Sequence, residues 1–181
     1  MSRPDDVLFG RAEIERAFTA LGERLARRGV VADVFVVGGA AMAMAYDAAR
    51  VTRDVDAVFK PHGIVLEEAR KVAEDLGLPR WWLNEQASVY ISGKEDLRKR
   101  RVFDHRGLRV MAASPAHVFA MKARAARTRD IDDLRLLADI IGLNSAEEAL
   151  RICAEFYPDE PVSPRSTAVL FELFGSAGTA R

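Results

Sequence analysis

A chain of 181 residues, 49% apolar and 30% charged, is long enough for one domain, or a domain with a helical appendage, around a substantial core. Its 27 basic and 27 acidic residues cancel, which excludes a global field drawing nucleic acid, so any attraction to a polyanion must be local. Cys153 is the single cysteine, which excludes an intrachain disulfide framework and a cysteine zinc site; with a polar N-terminus and no apolar run of membrane-spanning length, the expectation is a soluble cytoplasmic protein.

In chain order, residues 1–9 read as a loosely docked start. Ile14, Phe18, Leu21 and Leu25 recur at three- and four-residue steps, which predicts an amphipathic helix over 10–28, ended by Gly29. Residues 30–37 read as a buried strand, 39–49 as a short helix of small residues, and 55–59 as a second strand closed by Pro61. Residues 64–76 predict another amphipathic helix, stopped by Gly77 and Pro79. From 80 to 106 the pattern is faint: 89–91 reads as a short strand, and 102–103 and 108–112 as strands around a turn at 104–107. Ser114-Pro115 is a helix start, serine at the N-cap and proline in the first turn. Helices follow at 116–141, 145–156 and 164–174, with a small disordered tail after them. Strands first and helices last predict a mixed α/β (α+β) fold. A small mixed sheet with flanking helices, 1–113, carries a C-terminal helical part, 114–181, as one compact unit.

The most informative stretch runs from Val34 to Phe59. An apolar run ends in Gly38-Gly39, a small-residue segment follows, and Asp54 and Asp56 flank Val55. Glycines permit a tight strand-to-helix turn, and a helix N-terminus suits an anion. Residues two apart on a strand share a side, so both carboxylates face the same way, and a divalent cation relieves their repulsion. A phosphate seat beside a carboxylate pair is what phosphoryl or nucleotidyl transfer needs. The plain alternative is a glycine turn with two ordinary surface aspartates.

A second cluster comprises Lys122, Arg129, Asp130 and Asp133. On one continuous helix, Arg129 and Asp133 lie within about 20 degrees of Lys122, a face that offers room and charge for a phosphate-bearing ligand. Alternatively Asp130 caps a new helix and Arg129–Asp133 is a surface i,i+4 pair. Arg98, Lys99, Arg100 and Arg101 head the only dense basic patch, which reads either as a grip on an RNA backbone or as a solvated helix face. Trp81 and Trp82 suit base stacking, though at least one reads as core. His62, His105 and His117 show no metal-ligand spacing, and Cys153 lies in an apolar helical pattern.

Gly38-Gly39 followed by Arg50-x-Thr52-Arg53-Asp54-Val55-Asp56 resembles the signature of the polymerase-beta-like nucleotidyltransferase fold, in the form found in AbiEii-type and MenT-like toxins and some aminoglycoside nucleotidyltransferases. Met121-Lys122-Ala123-Arg124-Ala125 and Arg129-Asp130-Ile131-Asp132-Asp133-Leu134 are similar to the third and fourth motifs of the toxin branch. The resemblance spans 34–137 and is weak between 63 and 109. It implies a magnesium-dependent nucleotidyltransferase. Asp54 and Asp56 would hold the metal; Gly38, Gly39, Thr52, Arg53 and Arg129 would bind a nucleoside triphosphate. Lys122 and one of Asp130 and Asp133, with Asp133 favoured, would complete catalysis. It further implies an RNA 3′ end, notably tRNA, as acceptor, and a toxin role with a separate antitoxin. Two alternatives keep the fold: a small-molecule acceptor, or a non-catalytic binding module. The wider superfamily often places a third carboxylate on a later strand, and the candidate strand here, 108–112, has no acid.

Overall fold

The computed structural model describes residues 7–175. The expectations for residues 1–6 and for the tail beyond 175 lie outside the described residues. The chain divides into two compact units, Met1–Val89 with Arg98–Ala113, and Tyr90–Leu97 with Ser114–Arg181.

The first unit holds α1 (Arg11–Arg27), β1 (Ala32–Val36), α2 (Gly38–Ala41), β2 (Val55–Lys60), α3 (His62–Leu76), β3 (Leu83–Asn84), β4 (Arg100–His105) and β5 (Leu108–Ala112). The five strands form one mixed sheet in the order β3-β2-β1-β5-β4. β1 runs antiparallel to β2 and parallel to β5; β3 is parallel to β2, and β4 antiparallel to β5. This is the mixed α/β architecture expected. Alternation sends Ala32, Val34 and Val36 to one face, where they are buried, and leaves Asp33 exposed and Phe35 half-buried on the other. α1 and α3 cover the buried face. Phe18 of α1 packs against Trp82 and Phe103, with ring centroids at 6.2 and 5.6 Å, and the Trp82 indole N–H donates to the Ala69 carbonyl of α3 at 2.9 Å. Trp82 is therefore core, while Trp81 is exposed. The β4–β5 turn meets α1 so closely that a Cβ on Gly107 would lie 2.2 Å from the Gly22 carbonyl oxygen.

A charge clasp joins α1 to α3. Buried Glu68 accepts hydrogen bonds from Arg28 at 2.8 Å, Lys71 at 3.0 Å and Arg24 at 3.3 Å. Burial alone would push the Glu68 carboxyl up, but its hydrogen bonds from Lys71 and Arg28 outweigh burial and hold it below the ordinary range. Hydrogen bonds from Lys71 and Arg28 hold the Glu67 carboxyl down to about 2.

The second unit is helical: α4 (Pro115–Ala125), α5 (Ile131–Ile141), α6 (Ala146–Phe156) and α7 (Pro164–Gly175). Segment Tyr90–Leu97 belongs with these helices. Buried Asp96 accepts from the Ser114 N–H at 2.8 Å and contacts His117 Nδ1 at 3.1 Å, and the Ser92 N–H donates to His117 Nε2 at 3.1 Å. Burial would raise the Asp96 carboxyl, but its bonds to His117 and Ser114 hold it low. Burial pushes the Cys153 thiol up to about 11, which fits its place in the core. Among the described residues no helix is long and apolar enough to cross a membrane.

Five expectations are corrected. The helix expected over 39–49 is α2 followed by a π turn, Met42–Tyr46, so it ends three residues early. Residues 89–91 are not a strand: Ser88–Tyr90 form a 3-10 turn. The helix expected over 116–141 is broken, because Ala126 takes the left-handed conformation at φ 47° and a 3-10 turn, Thr128–Asp130, precedes α5. The charged segment is not a helix face: Arg100 and Arg101 begin edge strand β4. Phe9 is likewise not loosely docked; it is fully buried and bridged to Thr52 through Phe9 N–H at 2.7 Å and Thr52 N–H at 2.9 Å.

Candidate active site

The glycine pair and the two aspartates come from adjoining strands of the first unit. β1 ends at Val36, and the Val37 N–H donates to the Asp56 carbonyl at 3.0 Å, which ties the turn to β2. Gly38 has φ 59°, a conformation that an L side chain resists. A Cβ there would lie 3.8 Å from Asp56 Oδ2, and one on Gly39 would lie 2.6 Å from Thr52 Oγ1. The turn therefore presents bare backbone beside an aspartate and a threonine hydroxyl, and a helix's first N–H groups lack intrahelical partners. The short α2 carries only a small dipole, so an anion held here would depend on those N–H groups.

Asp54 stands one residue before β2, and Asp56 is its second residue. Both are half-buried. The neighbours Val55, Ala57 and Phe59 are buried under the helices, so Asp56 and Val58 project from the opposite face, where Val58 pairs with Phe35. Thr52 Oγ1 donates to the Asp54 carbonyl at 3.1 Å, which fixes the lead-in, while Arg53 is exposed. Asn84 Nδ2 donates to Asp54 Oδ2 at 2.8 Å, and Asn84 pairs with Asp56 across the β2–β3 ladder. Sequence reasoning missed Asn84, because a two-residue strand has no periodicity. It also sought a third acid on β5, which pairs with β1 and β4; the strand beside β2 is β3.

In the second unit the break at Ala126 has a consequence. Eight residues of continuous helix would separate Lys122 from Asp130 by about 12 Å along the axis. The left-handed residue turns the chain back instead. Lys122 Nζ then lies 2.7 Å from Asp130 Oδ1 and 2.9 Å from Asp133 Oδ2, all three side chains being less than a tenth exposed. Arg129, expected on the same face, is exposed on the 3-10 turn and does not join them. The ammonium sits between two carboxylates and offsets one of their two charges.

The basic residues of 98–101 are all exposed. Arg100 stacks over the Tyr46 ring at 5.9 Å, and Arg101 pairs with Asp104 at 2.9 Å. Beyond them, Arg109 holds Asp33 through two bonds of 2.8 and 3.0 Å, directly across the β1–β5 ladder. Cation and carboxylate therefore alternate along this sheet.

Among the described residues, no three His, Cys, Asp or Glu side chains are grouped to hold a metal. Magnesium needs no such cage, since it takes one or two carboxylates and completes its shell with water and substrate phosphates. The hard oxygens of Asp54 and Asp56, beside a backbone cradle that a Cβ would fill, fit that ion and a phosphate together.

A family model described as "Nucleotidyltransferase of unknown function (DUF6036)" matches residues 14–152. No curated protein and no solved structure matches the chain.

Proposed function

We propose that this chain, which belongs to that family of nucleotidyltransferases, moves a nucleoside monophosphate from a triphosphate to the 3′ end of an RNA, tRNA foremost, as the toxin of a toxin–antitoxin pair. The observation that carries the transfer reading is the bare glycine turn lying against Asp56 and Thr52. The acceptor and the toxin role rest on the resemblance of the Arg50–Asp56, Met121–Ala125 and Arg129–Leu134 segments to the AbiEii-type and MenT-like branch.

In this reading the N–H groups at Gly38 and Gly39 hold the triphosphate, with Thr52 fixing the turn behind them. Asp54 and Asp56 hold magnesium, which when bound supplies charge at the α-phosphate. The acceptor hydroxyl oxygen bonds to the α-phosphorus, the bond to the bridging oxygen breaks, and pyrophosphate leaves with the electron pair. By the resemblance alone, Asp133 or Asp130 would receive the hydroxyl proton or orient the hydroxyl, and Lys122 would neutralise phosphate charge.

A small-molecule acceptor is the second reading, and the charge pattern favours it at one point: Arg101 and Arg109 are already paired with Asp104 and Asp33, which thins the basic rim. Incubation with each α-labelled triphosphate, magnesium and total RNA, resolved on a denaturing gel, tests the proposal. Label in an RNA band supports it. Label in no RNA, with labelled product from a polycationic small molecule, moves the assignment to the second reading.

A further inference from the structure

We infer that Asn84 is a positioning residue for Asp54, the neutral side chain that aims a metal-holding carboxylate. This rests on the nucleotidyl-transfer reading above.

Asn84 is buried at 9% exposure, and its amide is fully engaged. Nδ2 donates to Asp54 Oδ2 at 2.8 Å and to the Trp81 carbonyl at 3.2 Å, and Oδ1 accepts from the Gln86 N–H at 3.0 Å. With both faces of the amide committed, it cannot flip, so the Nδ2 edge is always the one offered to Asp54. The turn from Trp81 to Gln86 is thereby built around this one side chain. The Trp81–Gln86 turn is itself anchored, since Trp82 is wholly buried and Val55 N–H donates to the Trp82 carbonyl at 2.6 Å.

The chemistry of the position follows. A neutral donor fixes one carboxylate oxygen without adding charge and leaves the other oxygen for a ligand. A donor to a metal-holding carboxylate typically controls 10- to 100-fold of metal affinity. An aspartate at 84 would add a third negative charge against Asp54, and a leucine would leave Oδ2 without its donor. Asparagine is the residue that bonds the carboxylate without adding charge. Its place on β3, in register with Asp56, sets this side chain beside β2, where it bonds Asp54.

The test uses manganese alone as probe, with affinity read by electron paramagnetic resonance and by metal-induced change in Tm. Asn84→Ala should weaken manganese binding about 10-fold or more, and should lower kcat with nucleotide KM within about twofold of wild type. In an Asp54→Ala background the same substitution should change manganese affinity by less than about twofold, because its route is gone. Should Asn84→Ala fold poorly, Asn84→Asp keeps the shape and the acceptor for Gln86. Its crowded carboxylates should make manganese raise Tm by more than in wild type. Wild-type affinity in Asn84→Ala, or an equal loss with and without Asp54, overturns the inference. An unchanged metal-induced Tm shift in Asn84→Asp overturns it as well. If manganese binds wild type and Asp54→Ala alike, the metal reading itself fails, which is a different result from an Asn84 effect that is missing while the Asp54 effect stands.

Discussion

Lys122→Met removes the ammonium from the Lys122–Asp130–Asp133 triad while keeping the length of its stem. At an effective dielectric of about 20, a contact of 2.7 to 2.9 Å corresponds to about 6 kcal/mol of attraction per carboxylate, before the cost of desolvating the charges. Without Lys122 the two carboxylates remain, each less than a tenth exposed, and their mutual repulsion is uncompensated. Breaking a buried ion pair from one side costs about 3–5 kcal/mol, a large share of the roughly 5–15 kcal/mol typical of a folded protein. For a chain of this size that is a fall in Tm of about 6–20 °C. The triple variant with Asp130→Asn and Asp133→Asn as well should recover most of the loss, because an uncharged set has no repulsion to bear. Urea unfolding followed by far-UV circular dichroism measures both. A Lys122→Met protein within about 1 kcal/mol of wild type would refute the buried triad and return Lys122 to the role of a solvated side chain.

The acid limb of stability should come from the depressed carboxyls. Glu67, held to about 2, and Glu68 and Asp96, held low, contribute stability that is present above the ordinary carboxyl range and lost as pH falls through it toward 2; Glu68→Gln should flatten the fall in Tm over that window. Ala126→Gly should be neutral or stabilise by up to about 1 kcal/mol, since glycine takes φ 47° freely, whereas Ala125→Gly inside α4 should cost about 1 kcal/mol; equal losses in thermal melts would refute the left-handed turn. Replacing Arg98, Lys99, Arg100 and Arg101 by alanine should lower the log-log salt slope of RNA binding by about 0.7 to 0.9 per lost phosphate contact, with nucleotide binding unchanged; identical slopes would remove this segment from the RNA surface.

What could be read from the chain follows the range of each interaction. The glycine turn and the strand that carries Asp56 were legible because both are local: φ 59° at Gly38 calls for glycine, and alternation sets Asp56 opposite Val55 and Ala57. Lys122 with Asp130 and Asp133 was legible as a group, but for a geometric reason that does not hold. A continuous helix would have included Arg129 and kept Asp130 away; the turn at Ala126 reverses both, and an alanine carries no sign of a left-handed conformation. Asn84 was hidden by the shortness of β3. The His117–Asp96 contact was hidden by its span, since nothing in the sequence between two residues 21 positions apart marks the pairing.

If Asp54 and Asp56 are the metal-holding pair of a nucleotidyl transfer, Asp56→Asn is the decisive variant. Side by side, wild type and variant are incubated with each α-labelled triphosphate, magnesium and total RNA, and their thermal melts are recorded. Wild type should label RNA and the variant should not. The variant's Tm should be unchanged or raised, because one of two neighbouring negative charges is gone. Undiminished labelling by an Asp56→Asn protein whose Tm has dropped sharply would make the pair structural and remove it from the chemistry.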